Sequence, residues 1–256
     1  AFEKLLTSAL CLGEFAKRNM RKGKQNMKQY DQMLQQQLQK KDGIGSAFVF
    51  EGEKQGTYFL FDETEICAGQ KDAWTTNCFD LVKEQKNGAV VHVEDNAVFV
   101  EQFSGIPRWV ILGGGHISLA LADLGKLLGF HVTVVDDRKE FVNRERFPHV
   151  DGLICDDFDC VFDKIPDFSQ TYYIVVTRGH QADSICAKQI CKRKYAYFGM
   201  IGSRAKVAKT KENLLAAGVL QKQIDTLHAP IGLPIGAVTP EEIAVCIAAE
   251  IIQVKN

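Results

Sequence analysis

The stretch Trp109–Arg138, "WVILGGGHISLALADLGKLLGFHVTVVDDR", constrains the fold more than any other part of the chain. "WVIL" reads as a buried strand. "GGGH" follows at once, then a segment with apolar residues at helical spacing, then "HVTVV" ending in Asp136. A strand, glycine loop, helix and second strand in about thirty residues is the context in which a glycine motif predicts dinucleotide binding. Gly113 suits the tight turn. Gly114 and Gly115 follow, and Gly115 lets the backbone approach a pyrophosphate held by the helix amides and dipole. The third motif position is Ser118 rather than glycine, small enough to keep helix and strand close. Asp136, 23 residues after Gly113, is placed to accept ribose hydroxyls. Asp137 and Arg138 follow it, and the arginine offers an alternative contact to a phosphate.

From Arg108 onward the texture is strands alternating with helices, with strands predicted at 109–112, 131–135, 152–155, 172–176 and 196–200. That alternation predicts an α/β domain, a Rossmann-type parallel sheet covered on both faces, over 106–256. Its last helix should begin at Thr239, with Pro240 in the first turn and Glu242 completing a capping box. Residues 1–105 read as a smaller α+β domain. A basic, glutamine-rich helix spans 17–41 with an apolar stripe of Met27, Tyr30, Leu34 and Leu38. Its charges read as a solvated face rather than a dock for an acidic partner. Two hairpins follow, turning at Glu51–Gly56 and Glu94–Asn96, with loop and a short helix between them. "SGIP" at 104–107 reads as a linker.

A formal net charge of -1 gives no reason to expect nucleic acid as a partner. No apolar run is long enough for a membrane span, and the N-terminus does not read as a signal peptide. The eight cysteines form no C-x-x-C pair. Cys186 and Cys191, five apart, should face different ways on a helix, so no metal site is expected. Reduced, mostly buried thiols imply a cytoplasmic protein.

Further site residues come from the ends of later strands, where ligands bind in open parallel sheets. "TRGHQAD" supplies Thr177, Arg178 and His180, with Asp183 placed to orient the His180 ring. "GMIGSR" supplies Gly202, Ser203 and Arg204. "HAPIGLPIGA", beginning at His228, reads as a rigid loop closing the crevice. His116, His180 and Asp183 are the candidates for chemistry, with no triad assignable. His116 and His180 are expected to face each other across the crevice, with Arg178 and Arg204 nearby, as one anion site whose affinity falls as pH rises through the histidine range.

Five ordered segments carry a resemblance: "GGGHISLALADLGKLLGFHVTVVDDR", "NRERFP", "VVTRGHQAD", "YFGMIGSRAKV" and "HAPIGLPIGAVTPEEIAVCIAAEII". Over residues 108–254 they resemble the C-terminal domain of the XdhC/CoxI family, most closely the branch associated with selenium-dependent molybdenum hydroxylases. The resemblance implies an accessory protein that handles molybdenum cofactor, or a fragment of it, for a xanthine-dehydrogenase-type client, and that forms a homodimer. An NAD(P)-dependent oxidoreductase and a non-catalytic nucleotide sensor are the alternatives that the fold permits. The family's early Gly-Ser-Pro-Arg and Gly-Gly-Cys-x-Glu segments are not found in residues 1–107; the nearest stretch is "EICAGQ", with Cys67.

Overall fold

The structure, a computed structural model, describes residues 24–256, without the side chains of residues 24–28 and of His180. The expectations for the N-terminus, for Cys11, for helix residues 17–23 and for the Met27 side chain lie outside the described residues. Two compact units divide between Ile106 and Pro107.

The first unit holds helix α1 (Lys24–Lys40), strands β1 (Gly43–Glu51), β2 (Tyr58–Phe61) and β3 (Ile66–Gly69), helix α2 (Ala73–Val82), and strands β4 (Ala89–Val93) and β5 (Asn96–Ser104). The two expected hairpins are not separate. β1 pairs with β5 antiparallel, so all five strands form one sheet in the order β3-β2-β1-β5-β4. Strand β3 falls where the sequence reads as loop, because four residues are too few to show a period. Alternate residues of β1 serve opposite faces. Ile44 meets Tyr30 and Leu34 of α1, whereas Ala47 and Val49 meet Cys78, Phe79 and Val82 of α2. Two neighbouring strand residues of this unit, Ser46 and Glu101, share the α1 face. Burial pushes the Glu101 carboxyl up to about 7.

The second unit holds β6 (Arg108–Leu112), α3 (His116–Leu127), β7 (His131–Asp136), β8 (Gly152–Cys155), β9 (Thr171–Val175), α4 (His180–Ile190), β10 (Tyr197–Met200), α5 (Arg204–Ala216), the short α6 (Gln221–Ile224), β11 (Leu227–His228) and α7 (Pro240–Lys255). The six strands are parallel, in the order β11-β10-β9-β6-β7-β8. Numbered within the unit, this is the doubly wound order in which the chain reverses direction between its first and fourth strands. That switch point lies between β6 and β9. Every residue of β6 and β9 is buried. Trp109 and Ile111 face the side covered by α3 and α7; Val110 and Leu112 face the side covered by α4 and α5. β11 has no counterpart in the sequence pattern, since two residues leave no period.

Two local readings change. Cys186 and Cys191 enter the same core cluster, because α4 ends at Ile190 and Cys191 turns inward as its C-cap. The close helix–strand contact expected at the third glycine position is made at Gly125, where a Cβ would lie 2.7 Å from the Trp109 ring. Ser118 is fully buried and does more than fill space: its hydroxyl donates to the Gly113 carbonyl at 2.5 Å.

Candidate functional site

The three glycines after β6 are glycine for different reasons. Gly113 has φ +113°, and a Cβ there would meet the Val176 carbonyl at 2.5 Å. Gly114 would meet the Phe141 carbonyl at 2.4 Å. Gly115 has φ -73° and open space where its Cβ would be. Nothing inside the fold requires glycine there. Gly115 is the N-cap of α3, and no side chain caps the helix. The amides of its first turn are therefore left to solvent or to a ligand. His116 is the first residue of α3 and is exposed.

The loop after β9 repeats the arrangement. Thr177 is buried, Arg178 and Gly179 are exposed, and Gly179, at φ +106°, caps α4 without a side chain. His180 opens α4, so both histidines begin helices that follow neighbouring strands. The His180 side chain lies outside the described residues, and with it the facing of the two imidazoles.

The part expected of Asp183 toward the His180 ring lies outside the described residues, but its other partners are clear. Its fully buried carboxylate accepts the Thr177 hydroxyl at 2.5 Å and pairs with the Lys206 ammonium. Side chains in a first helical turn lean back toward the helix N-terminus, which carries Asp183 to Thr177 six residues earlier. Lys206, on α5, is not among the residues that the sequence motifs single out. A signal for it exists: Lys206 lies four residues before buried Thr210, on the inner stripe of α5. Its stem runs beneath Gly202, where a Cβ would approach Lys206 Cδ to 2.9 Å. The pair thus ties the loop after β9 to the turn after β10. In that turn the Ser203 hydroxyl accepts the Lys206 amide at 3.3 Å, and Arg204 is exposed.

Asp136 at the end of β7 is not free for a ribose. Its Oδ2 accepts the Gly114 amide at 2.7 Å, and Arg138 grips both oxygens through Nε (2.9 Å) and Nη2 (3.1 Å). Burial would raise its pKa, but the Arg138 guanidinium and the Gly114 and Arg138 amides outweigh that and hold it below the usual carboxylate range. Asp137 is half exposed, 3.5 Å from Arg138 Nε, and is raised by burial and by the adjoining Asp136. Arg146, likewise absent from the sequence expectations, donates to the Gly114 carbonyl at 3.0 Å and lies over the Phe141 ring. It comes from "NRERFP", whose part in the site is invisible until the chain after β7 folds back on the glycine loop.

The loop from Ala229 to Val238 is pinned to α7. Glu250 accepts the Gly232 amide at 2.9 Å and the Tyr197 hydroxyl at 2.5 Å, with His228 Nδ1 3.6 Å away. Burial pushes the Tyr197 phenol well above its ordinary range.

In the first unit, Asp62, Glu65 and Cys67 bring one ligand atom each within 4.8 Å of one another. The Lys41 ammonium already sits 2.7 Å from Asp62 and 4.0 Å from Glu65. Burial and then the charge of Asp62 push the Cys67 thiol up, which disfavours the thiolate. Of the other described cysteines, Cys78, Cys186, Cys191 and Cys246 are buried, and Cys155 and Cys160 are exposed. Among the described residues no helix is long and apolar enough to cross a membrane.

Known proteins share much of this arrangement. A protein of Escherichia coli K12 named uncharacterized protein YqeB is 34% identical over 161 residues, covering 62% of this chain and 29% of that protein. A Bacillus subtilis protein, named as a probable subunit of xanthine dehydrogenase, is 30% identical over 159 residues, covering 62% of this chain and 46% of its own length. The chain therefore spans less than half of either curated relative. A crystal structure of a xanthine dehydrogenase from Bacillus halodurans superposes with a TM-score of 0.63 at 22% identity, covering 89% of this chain and 64% of that one, a likeness of fold. Residues 109–251, more than half of the chain and the whole of the parallel sheet with its glycine loop, match the XdhC Rossmann domain. The chain belongs to the XdhC family.

Proposed function

We propose that this chain is an accessory protein to a xanthine-dehydrogenase-type molybdenum hydroxylase, and that the crevice between β6 and β9 holds the phosphate of a nucleotide or of a molybdenum-cofactor fragment. The observation that carries the second part is Gly115: a glycine that the fold does not need, at an uncapped helix start facing the switch point. A backbone kept bare there suits close approach of a phosphate. The first part leans on the family and on the Bacillus subtilis relative's name.

The residues fit the phosphate-bearing end of such a group. Two sets of first-turn amides, with exposed Arg178 two residues before α4 and exposed Arg204 at the start of α5, offer donors and positive charge. Thr177 has committed its proton to Asp183, so its oxygen can only accept. The fit does not extend to Cys67, whose raised thiol and carboxylate neighbours suit neither a sulfur carrier nor a soft metal. When bound, the cofactor fragment supplies the metal-binding chemistry, while this chain binds, orients and releases it. No residue here is assigned a bond-breaking role.

A thermal-shift series with AMP, ADP, cytidine nucleotides, NAD(H), NADP(H) and molybdopterin species tests the reading. A true ligand at 100 times its Kd stabilises by roughly 2.7 kcal/mol. Gly115→Val should remove that shift and leave the unliganded melting temperature unchanged. A shift that survives Gly115→Val would remove the glycine loop from the site. Co-purification with the native hydroxylase tests the partner; a client that matures normally without this chain would refute the accessory role.

A further inference from the structure

The end of β7 is built to reject a plain ribose. An acid in this position ordinarily has free lone pairs for ribose hydroxyls. Asp136 has none to spare. Its Oδ1 receives the Arg138 amide at 3.0 Å and Arg138 Nε at 2.9 Å. Its Oδ2 receives the Gly114 amide at 2.7 Å and Arg138 Nη2 at 3.1 Å. Each carboxylate oxygen accepts about two hydrogen bonds, so all four places are taken. A sugar diol would have to break charge-assisted bonds to reach them.

The donors at the same place are in surplus. The contacts to Asp136 use two of the five side-chain N–H groups of Arg138, and the guanidinium lies over the Phe141 ring, 3.7 Å from its centroid, with 26% of the side chain exposed. Arg146 stands over the same ring at 5.3 Å, with one Nη2 contact to the Gly114 carbonyl, and its Nε is buried without a partner among the described residues. Two exposed carboxylates with open acceptors, Asp137 and Glu140, also face Arg138, so an incoming anion competes with them for its free N–H groups. An incoming group that only accepts is matched to this surface.

We propose that the surface at the end of β7 binds a phosphate monoester, with Arg138 as the residue that decides specificity and Arg146 as a second donor. The ligand is then a nucleotide with a phosphate on its ribose, in addition to the phosphate at the glycine loop. The proposal rests on the nucleotide reading above. It adds the statement that Arg138 excludes the unmodified diol.

The test is calorimetric binding of adenosine 5′-monophosphate, adenosine 2′,5′-bisphosphate and adenosine 3′,5′-bisphosphate to the wild-type chain, Arg138→Ala, Arg138→Lys and Gly115→Val. The expected result is that one bisphosphate binds at least about 10-fold tighter than the monophosphate, and its identity reports which ribose hydroxyl carries the phosphate. Arg138→Ala should erase that ratio, because the second phosphate loses its donor while Asp136 becomes free for the diol. Arg138→Lys should restore the ratio only in part, since an ammonium cannot fork. Equal affinity for all three ligands in the wild-type chain, abolished by Gly115→Val, would overturn this proposal and keep the glycine-loop reading. Binding of none of them would overturn both. The wild-type ratio decides the matter even where a variant folds poorly.

Discussion

The longer helices whose starts the structure describes begin in two ways. α2, α5 and α7 begin at Asp72, Ser203 and Thr239, and each of these side chains accepts an amide of its own first turn. α3 and α4 begin at Gly115 and Gly179, and neither has a side-chain cap. A cap removes the cost of an orphan amide, typically about 1 kcal/mol. The longer helices that forgo that gain are α3 and α4, which follow β6 and β9, the neighbouring strands of the switch point; the short α6, starting at Leu220, has no side-chain cap either. At the proposed site, that stability is given up where the phosphate would sit. Beneath the uncapped pair lies the buried Asp183–Lys206 bridge, which keeps the loop after β9 in place without help from a cap.

Breaking that bridge tests the contrast most severely. Asp183→Ala leaves the partly exposed Lys206 ammonium and the buried Thr177 hydroxyl without their shared acceptor, and should cost about 3 kcal/mol in urea denaturation. Replacing both partners, Asp183→Asn with Lys206→Met, should recover much of the stability. A single variant as stable as the wild type would mean that the pair does not hold the loop.

Next in size is the contrast within the glycine run. Gly113→Val forces a left-handed φ and a clash with the Val176 carbonyl, for a loss of about 3 kcal/mol. Gly115→Val should cost little in stability. If the two variants melt alike, the distinction between a glycine for the fold and a glycine for a ligand fails.

Smaller effects bear directly on capping. Thr239→Ala should lower stability by about 1 kcal/mol. Gly115→Asp should raise the unliganded stability by a few tenths of a kcal/mol by adding the missing cap, yet weaken phosphate binding by placing a carboxylate at the anion's position. An aspartate that improves both would show that α3 has no anion to receive.

The smallest effect is expected in the first unit. Cys67→Ser should alter client maturation less than Gly115→Val does, because burial and the charge of Asp62 push its thiol up and disfavour the thiolate. Complete loss of maturation on that change would relocate the essential site to the first unit.

The parallel sheet, its glycine loop and the capped start of α7 are legible in the residues, because periodicity and capping are local. So is the glycine at both uncapped starts. Partnership is not legible. That Asp183 bonds Thr177 and Lys206 cannot be read from the sequence, since Lys206 reaches it only because α5 packs beside α4. Asp136 and Arg138 are two residues apart, but whether an arginine folds onto its neighbour or stretches to a ligand depends on Phe141 beneath it and Gly114 beside it. Arg146 becomes a site residue only because the chain after β7 returns over the glycine loop.

By itself, then, the sequence determined the longer strands and helices but not the short β3 and β11, where the backbone must be bare, and which residue types gather near the carboxyl ends of the strands. The tertiary structure decided which of those residues are already spent on one another. The physical reason is that propensity, periodicity and capping act over a few residues, whereas a buried carboxylate takes whatever donor the packing brings within about 3 Å, at any distance along the chain.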